Sequence, residues 1–273
     1  MRPLEPDDVA ALRLPWQSRF SAASLAAFLE RHRGYGWIAP ASGEFLLAEP
    51  WRRRDDVAGI LEIHARRGRP ALLARAAADL TAAGARMLLL PDGEWTTAPR
   101  VYEEQDFARV ERVVYFQLLG LGLTPQVTRP LPPLEYAPLT PHHMATIVRL
   151  DHAAFPWLWW NSEAEFRSYV GQAGVQIWLG WMAGAPVAYA GFTTLDRWGH
   201  HDRLAVDPAA QGHSYGAAML AFALARMAAL NVTRVTLSTQ ETNTQSQRLY
   251  RGFGFRQTTE RFDIYGKWLA RGD

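Results

Sequence analysis

One constant offset runs through this chain: subtracting 148 carries Tyr250 to Tyr102, Phe255 to Phe107, Leu237 to Leu89, Val235 to Met87, Leu220 to Leu72 and Gly216 to Gly68. The offset holds without a gap across a strand, a helix, a second strand and a following Tyr-x4-Phe, which is how a tandem duplication of one α/β unit reads. Such a chain is expected to build two similar cores, and its 273 residues are enough for both.

The copies meet at Leu121–Pro133, where LGLTPQVTRPLPP carries four prolines and no periodicity, as a linker does. The expected domains are 1–125 and 126–273. In the second, strands are expected near Leu134–Leu139, Val175–Trp181, Val187–Thr194, Asp202–Val206 and Val232–Ser238, with a strand pair after Phe255. Helices are expected near His142–Ala154, Ser162–Gln172, Tyr215–Leu230 and Thr244–Arg251. Strands alternating with helices give an α/β fold class, a sheet with covered faces.

Composition removes several functions. The 29 basic and 27 acidic side chains leave +2, too small a balance to make nucleic acid or an anionic membrane an obligatory partner. With no cysteine there is no disulfide framework, thiolate zinc site or cysteine nucleophile. The opening MRPLEPDDVAALRLPW lacks the basic end and apolar run of a signal peptide, and the aromatic stretch Phe155–Trp160 is far short of the about 20 apolar residues that span a bilayer. A cytoplasmic protein is expected.

The chemistry concentrates in two runs. In the first, the apolar strand ending Leu204-Ala205-Val206 breaks at Asp207-Pro208 and becomes a helix after Gln211-Gly212-His213-Ser214-Tyr215-Gly216. Proline has no N–H for the ladder, and glycines let backbone approach a ligand. The unpaired amides and positive dipole end of the new helix suit a diphosphate, although many strand-to-helix turns carry two glycines only to make the turn. Neither a Walker loop nor a Gly-x-Gly-x-x-Gly fingerprint is present. In the second run, Leu237-Ser-Thr-Gln-Glu-Thr-Asn243-Thr-Gln-Ser246-Gln-Arg-Leu-Tyr250-Arg-Gly-Phe-Gly-Phe255, a strand ends in a polar loop and Asn243 stands as a helix N-cap. Tyr250, about two turns on, shares its face.

At these residues the chain resembles the GNAT acetyltransferase superfamily over about Glu135–Leu269. The family's acyl-CoA loop, Gln/Arg-x-x-Gly-x-Gly/Ala, is matched by Gln211, Gly212, His213, Ser214, Tyr215 and Gly216, with Ser214 standing where the family usually has its first glycine. The resemblance implies two tandem GNAT-like mixed-sheet units with the acyl-CoA site in the C-terminal one. It implies backbone hydrogen bonds from Leu204, Ala205 and Val206 to the pantetheine arm, with Asn243 and Ser246 beside it. Tyr250 becomes the general acid that protonates the departing thiolate, unless it is a core tyrosine packed on Phe253 and Phe255. A phenol of pKa ~10 can hydrogen-bond to a thiolate of pKa ~8.5. The implied reaction is direct attack of a primary amine of a small molecule or peptide on acetyl-CoA in a ternary complex, with acetyl-CoA as co-substrate and no metal. Glu241 is the base named first, with Asp202, His201 and His200 as rivals. A homodimer is left open. An aminoacyl-tRNA donor on the same fold, or a non-catalytic acyl-CoA-binding module, are the other readings.

Three features stay ambiguous at this level. Trp157, Trp159 and Trp160 wall an acceptor pocket or cap the sheet; His142 and His143 have no metal-ligand partners at convincing spacing. Arg52, Arg53, Arg54, Arg66, Arg67 and Arg69 grip an anion or form a solvated face paired with Asp55 and Asp56. At the 148-residue offset Ile63 replaces Gln211, His64 replaces Gly212, Arg66 replaces Ser214 and Trp95 replaces Asn243, so the N-terminal copy reads as degenerate.

Overall fold

The computed structural model describes residues 1–91, 98–121 and 130–269. The expected boundary at 125/126, most of the linker and Trp95 lie outside the described residues. The chain forms two compact units, one of Met1–Glu111 with Asp263–Asp273, the other Arg112–Phe262.

The first unit orders its strands β1 (Arg2–Pro3), β2 (Gly36–Ala39), β3 (Glu44–Pro50), β4 (Val57–His64), β5 (Met87–Pro91) and the end of β12 (Arg256–Trp268). Neighbours run antiparallel except β4 and β5, which pair in parallel from Val57↔Met87 to Gly59↔Leu89. Helix α1 (Ala22–Arg31) starts where the Ser21 hydroxyl accepts the Ser24 N–H, satisfying one orphan donor of the first turn. Its Leu25, Phe28 and Leu29, at helical spacing, pack on Ile38, Phe45 and Leu47. On the opposite face Leu72, Leu73, Ala76 and Leu80 of α2 (Arg69–Ala82) cover Trp37, Leu46, Ile60 and Leu88. A short α3 (Pro99–Glu103) carries Tyr102, fully buried and edge-on to Phe107 at 5.9 Å.

The second unit orders β6 (Ala108–Leu119), β11 (Arg234–Gln240), β10 (Trp198–Val206), β9 (Ala185–Leu195), β8 (Val175–Met182) and β7 (Glu135–Pro138). Only β10 and β11 run parallel among its described pairs. β11 alternates buried and half-buried positions, the period of a strand with one face on the core. Helix α6 (Tyr215–Ala229) lays Met219, Leu220, Ala223, Leu224 and Met227 on Phe192, Val235 and Leu237. Helices α4 (Met144–Ala154) and α5 (Glu163–Val170) cover the other face with Ile147, Leu150 and Phe166 against Ile177, Leu179 and Tyr189. Helix α7 (Thr244–Gly252) closes the unit.

Two expectations need revision. β10 begins at Trp198 rather than Asp202, paired from there with β9 and β11, and its Gly199 packs closely: a Cβ would come within 2.6 Å of the Met227 sulfur. The strand pair expected after Phe255 is the single strand β12, whose first residues belong to the second unit while Ile264–Trp268 pair with β5 in the first. Conversely β6 residues Val113–Leu119 pair with β11. Each unit thus takes its closing strand from the other half of the sequence.

Candidate functional site

β10 and β11 pair in parallel from Trp198↔Arg234 to His201↔Leu237 and then part, although β10 continues to Val206 and β11 to Gln240. The cause is local: on its other edge β10 changes register against β9 between His201 and Arg203, and such a bulge bends and twists a strand. Leu204, Ala205 and Val206 keep β9 as partner, at Ala190, Tyr189 and Ala188. Their edge towards β11 has no paired strand, an opening in which an extended ligand finds backbone donors and acceptors.

Above that opening Asp207 accepts the Ala209 N–H at 3.1 Å and Arg149 at 2.9 Å, bonds that hold its carboxyl below the usual carboxylate value. The turn Asp207–Ser214 then climbs into α6 through Gly212 at φ +85° and Ser214 at φ +63°. A left-handed conformation is cheap for glycine and costs other residues roughly 1–2 kcal/mol, which is the physical reason a glycine would suit position 214. Ala218 N–H is the first in α6 to bond back, to the Ser214 carbonyl, so those of Tyr215, Gly216 and Ala217 have no intrahelical carbonyl to reach. A Cβ built on Gly212 meets nothing within 4 Å, and one on Gly216 touches the Val206 side chain at 3.4 Å. The loop's own side chains turn elsewhere: His213 Nδ1 lies 3.0 Å from the Gln211 carbonyl, its ring stacks on Tyr215, and the Gln211 amide reaches the Val206 carbonyl at 3.3 Å.

Asn243 caps α7 as expected of its type, its Oδ1 accepting the Ser246 N–H at 3.1 Å, which leaves its amide N–H groups for a ligand. Two turns on, Tyr250 is buried among Phe116, Phe255 and His201, with ring centroids 6.2, 6.0 and 6.3 Å away. Burial pushes its phenol up to about 12, against a smaller opposing effect of a hydrogen bond with Ser246. At that value the group keeps its proton at neutral pH. His201, one of the four sequence candidates for a base, is 2% exposed, and burial drives its imidazole down to about 3. Among the described residues neither ring nitrogen has a hydrogen-bond partner.

The rival carboxylates differ sharply. Asp202 sits at the bulge and receives the Tyr169 hydroxyl and, at 2.8 Å, that of Thr193. Burial raises its carboxyl above the ordinary carboxylate value and raises the Tyr169 phenol too. His200 lies 4.0 Å from Asp202 Oδ1 and 2.8 Å from the Thr236 hydroxyl. Glu241 is half exposed at the end of β11, 3.9 Å from Arg112. Tyr169 and Thr193 escape sequence reasoning because nothing in their neighbours along the chain marks them.

The tryptophan-rich segment is pinned by a buried ion pair that the sequence does not announce. Arg203 Nε donates to Asp151 Oδ2 at 2.6 Å, Tyr189 donates to the same oxygen at 2.5 Å, and Asp151 Oδ1 accepts the Asn161 N–H at 2.8 Å. Arg203 also donates to the Trp159 carbonyl at 2.6 Å and lies over the Phe155 ring. The Trp157–Trp159 turn is thereby fixed at its backbone.

In the first unit the corresponding turn is Ala65–Gly68, after β4 ends at His64. Ile63 and His64 therefore belong to the strand, and the 148-residue offset holds only from the helix onwards. Glu44 Oε1 accepts the N–H groups of Arg66 and Arg67 at 2.6 and 3.1 Å, and Oε2 that of Gly68 at 2.9 Å. These bonds hold its carboxyl below the usual value. A Cβ at Gly68 would collide with that carboxylate. Of the arginine clusters, Arg54 forms a bidentate pair with Asp56 and Arg69 lies over the Tyr102 ring.

Comparison with known proteins bears on this geometry. Residues 142–255 match the profile of the acetyltransferase (GNAT) family. No curated protein matches the chain by sequence. Among solved structures, a GCN5-related N-acetyltransferase from Sphaerobacter thermophilus has a TM-score of 0.60 at 17% identity, covering 100% of this chain and 96% of that one. A conserved protein of unknown function from Enterococcus faecalis V583 has a TM-score of 0.68 at 9% identity, covering 98% and 72%. A tandem GNAT protein from the clavulanic acid biosynthesis pathway has a TM-score of 0.53 at 16% identity, covering 99% and 98%. These likenesses establish the fold: α/β, in two tandem GNAT-like mixed-sheet units.

Proposed function

We propose that the chain, whose residues 142–255 match the profile of the acetyltransferase (GNAT) family, transfers an acetyl group from acetyl-CoA to a primary amine of a small molecule or peptide. The observation that carries this reading is the parted strand pair beneath an open turn: β10 and β11 separate after His201 and Leu237, below amides that no side chain among the described residues fills.

In this reading the diphosphate of acetyl-CoA meets the turn Gln211–Gly216, where the N–H groups of Tyr215 and Gly216 have no other partner within the helix. The pantetheine arm runs along the free edge of Leu204–Val206, with Asn243 and Ser246 on its other side, and displaces the long Gln211–Val206 bond. The amine attacks the thioester carbon, the C–S bond breaks, and the sulfur is met by the Tyr250 hydroxyl. A phenol near 12 surrenders its proton fully only to a stronger base, so its main effect is a hydrogen bond that strengthens as charge collects on sulfur. Holding both reactants in one complex supplies much of the remaining acceleration. The amine loses its extra proton to a carboxylate, and the geometry supports Asp202, buried beside the opening with its carboxyl raised, better than the half-exposed Glu241.

The deciding experiment is thiol release from acetyl-CoA against a panel of amines, run beside the melting temperature with and without acetyl-CoA. Ligand linkage requires a rise in melting temperature for a native-state binder. Stabilisation with amine-dependent thiol release supports transfer. Stabilisation without release points to the binding module, and neither effect with acetyl-CoA overturns the reading.

A further inference from the structure

His201 is the least comfortable polar group in the second unit. It is 2% exposed, and both ring nitrogens are buried without a partner among the described residues. Leaving a buried donor or acceptor unpaired is destabilising, and a leucine of similar size would carry no such penalty. The position is also particular. His201 is the last residue of β10 to pair with β11, opposite Leu237, so its ring stands where the strands begin to part. It meets the ring of Tyr250 edge-on at 6.3 Å, on the face covered by α6 and α7.

Resting on the acyl-transfer reading above, we propose that His201 is a catalytic residue that donates an imidazole N–H hydrogen bond to the carbonyl oxygen of the bound thioester. As the amine nitrogen bonds to the carbonyl carbon, the π pair moves onto oxygen and this hydrogen bond shortens. When the carbonyl re-forms, the C–S bond breaks and its electron pair leaves on sulfur as the thiolate, held by the hydrogen bond from the Tyr250 hydroxyl. His201 itself neither gains nor loses a proton, and its neutral form is the one burial enforces. Two groups on one face then divide the work: the imidazole serves the oxygen and the phenol serves the sulfur. The unpaired nitrogens are the cost of holding a donor ready in a dry place, where it is worth more than in water.

The test compares His201→Leu and His201→Asn with the unaltered chain. The leucine variant is expected to melt no lower than wild type, to bind CoA within about 2-fold, and to lose roughly 100-fold in kcat, the usual size for one oxyanion donor. The asparagine variant, which keeps a donor, recovers part of that loss. In the wild-type protein labelled with 15N-histidine, the His201 ring N–H signal shifts on addition of acetyl-CoA and does not shift with CoA alone. A leucine variant with wild-type kcat, or a ring signal that responds equally to both ligands, overturns the assignment; the second measurement holds even if the variants fail to fold. Wild-type protein that neither binds acetyl-CoA nor releases thiol sinks the acyl-transfer reading and this inference with it. Normal turnover with an indifferent His201→Leu sinks this inference alone.

Discussion

The turn after β4 and the turn after β10 occupy the same place in two related units, and they differ in what sits on their amides. In the first unit the Glu44 carboxylate takes the N–H groups of Arg66, Arg67 and Gly68. In the second, the turn is longer, Gly212 opens onto free space, and no side chain among the described residues takes the first amides of α6. The first turn's amides are met from within by Glu44, and in the function proposed above the second turn's amides meet the diphosphate instead. The shared glycine shows the divergence best: Gly68 must lack a side chain to admit Glu44, whereas Gly216 has room for a Cβ against Val206.

The contrast can be broken most forcefully at Gly216. Gly216→Glu sets a negative charge on the proposed diphosphate seat, and acetyl-CoA affinity is expected to fall by about 100-fold or more, since like charges in contact cost several kcal/mol. Glu44→Gln, measured in the same calorimetric titration, leaves that affinity unchanged; reversed outcomes would mean that the first unit holds the ligand. Next in size is Tyr250→Phe, which is expected to lower kcat about 1,000-fold with CoA affinity preserved. Equal turnover in the two proteins would return Tyr250 to the core packing its burial allows.

Asp202→Asn is expected to cost about 100-fold in kcat/KM. The pH profile identifies the group: a base must be ionised, burial raises the Asp202 pKa, and so activity is lost as pH falls through a value above the ordinary carboxylate range. The asparagine variant loses that acid limb and Glu241→Gln keeps it, or the two roles are exchanged. The smallest effect is on stability. Glu44 caps the start of α2, and Glu44→Gln is expected to cost about 1 kcal/mol, or about 2–4 °C in melting temperature. Because its folded pKa is lowered, the wild-type contribution is present above the ordinary carboxylate range and disappears as pH falls through the lowered value. Equal acid sensitivity in both proteins would show that the carboxylate is idle.

What the sequence disclosed follows from distance along the chain. Gly212, Ser214, Asn243 and Tyr250 were legible because turn, cap and helix face are set by near neighbours. Glu44 was hidden because its amides lie more than twenty positions away, brought close by the register of β3 on β4, from Phe45↔His64 onwards. Asp202 was a candidate without a motif; its standing comes from Tyr169 on another helix and Thr193 on another strand. The isolation of His201 is a property of the packed core, and no local pattern encodes it. The likeness of the two halves was read from residues of like type, while the allotment of the closing strands was not legible, since nothing local in β6 or β12 names the strand it will pair with.

That allotment has a consequence for how the molecule comes into being. The first sheet lacks its last neighbour until residues 264–268 exist, and the second depends on a segment, 113–119, made long before the rest of it. On the ribosome the early copy cannot finish folding on emergence and then wait, as consecutive domains commonly do. The first unit waits on residues 264–268, and a truncation a few residues short of Trp268 would damage the half of the chain that was translated first.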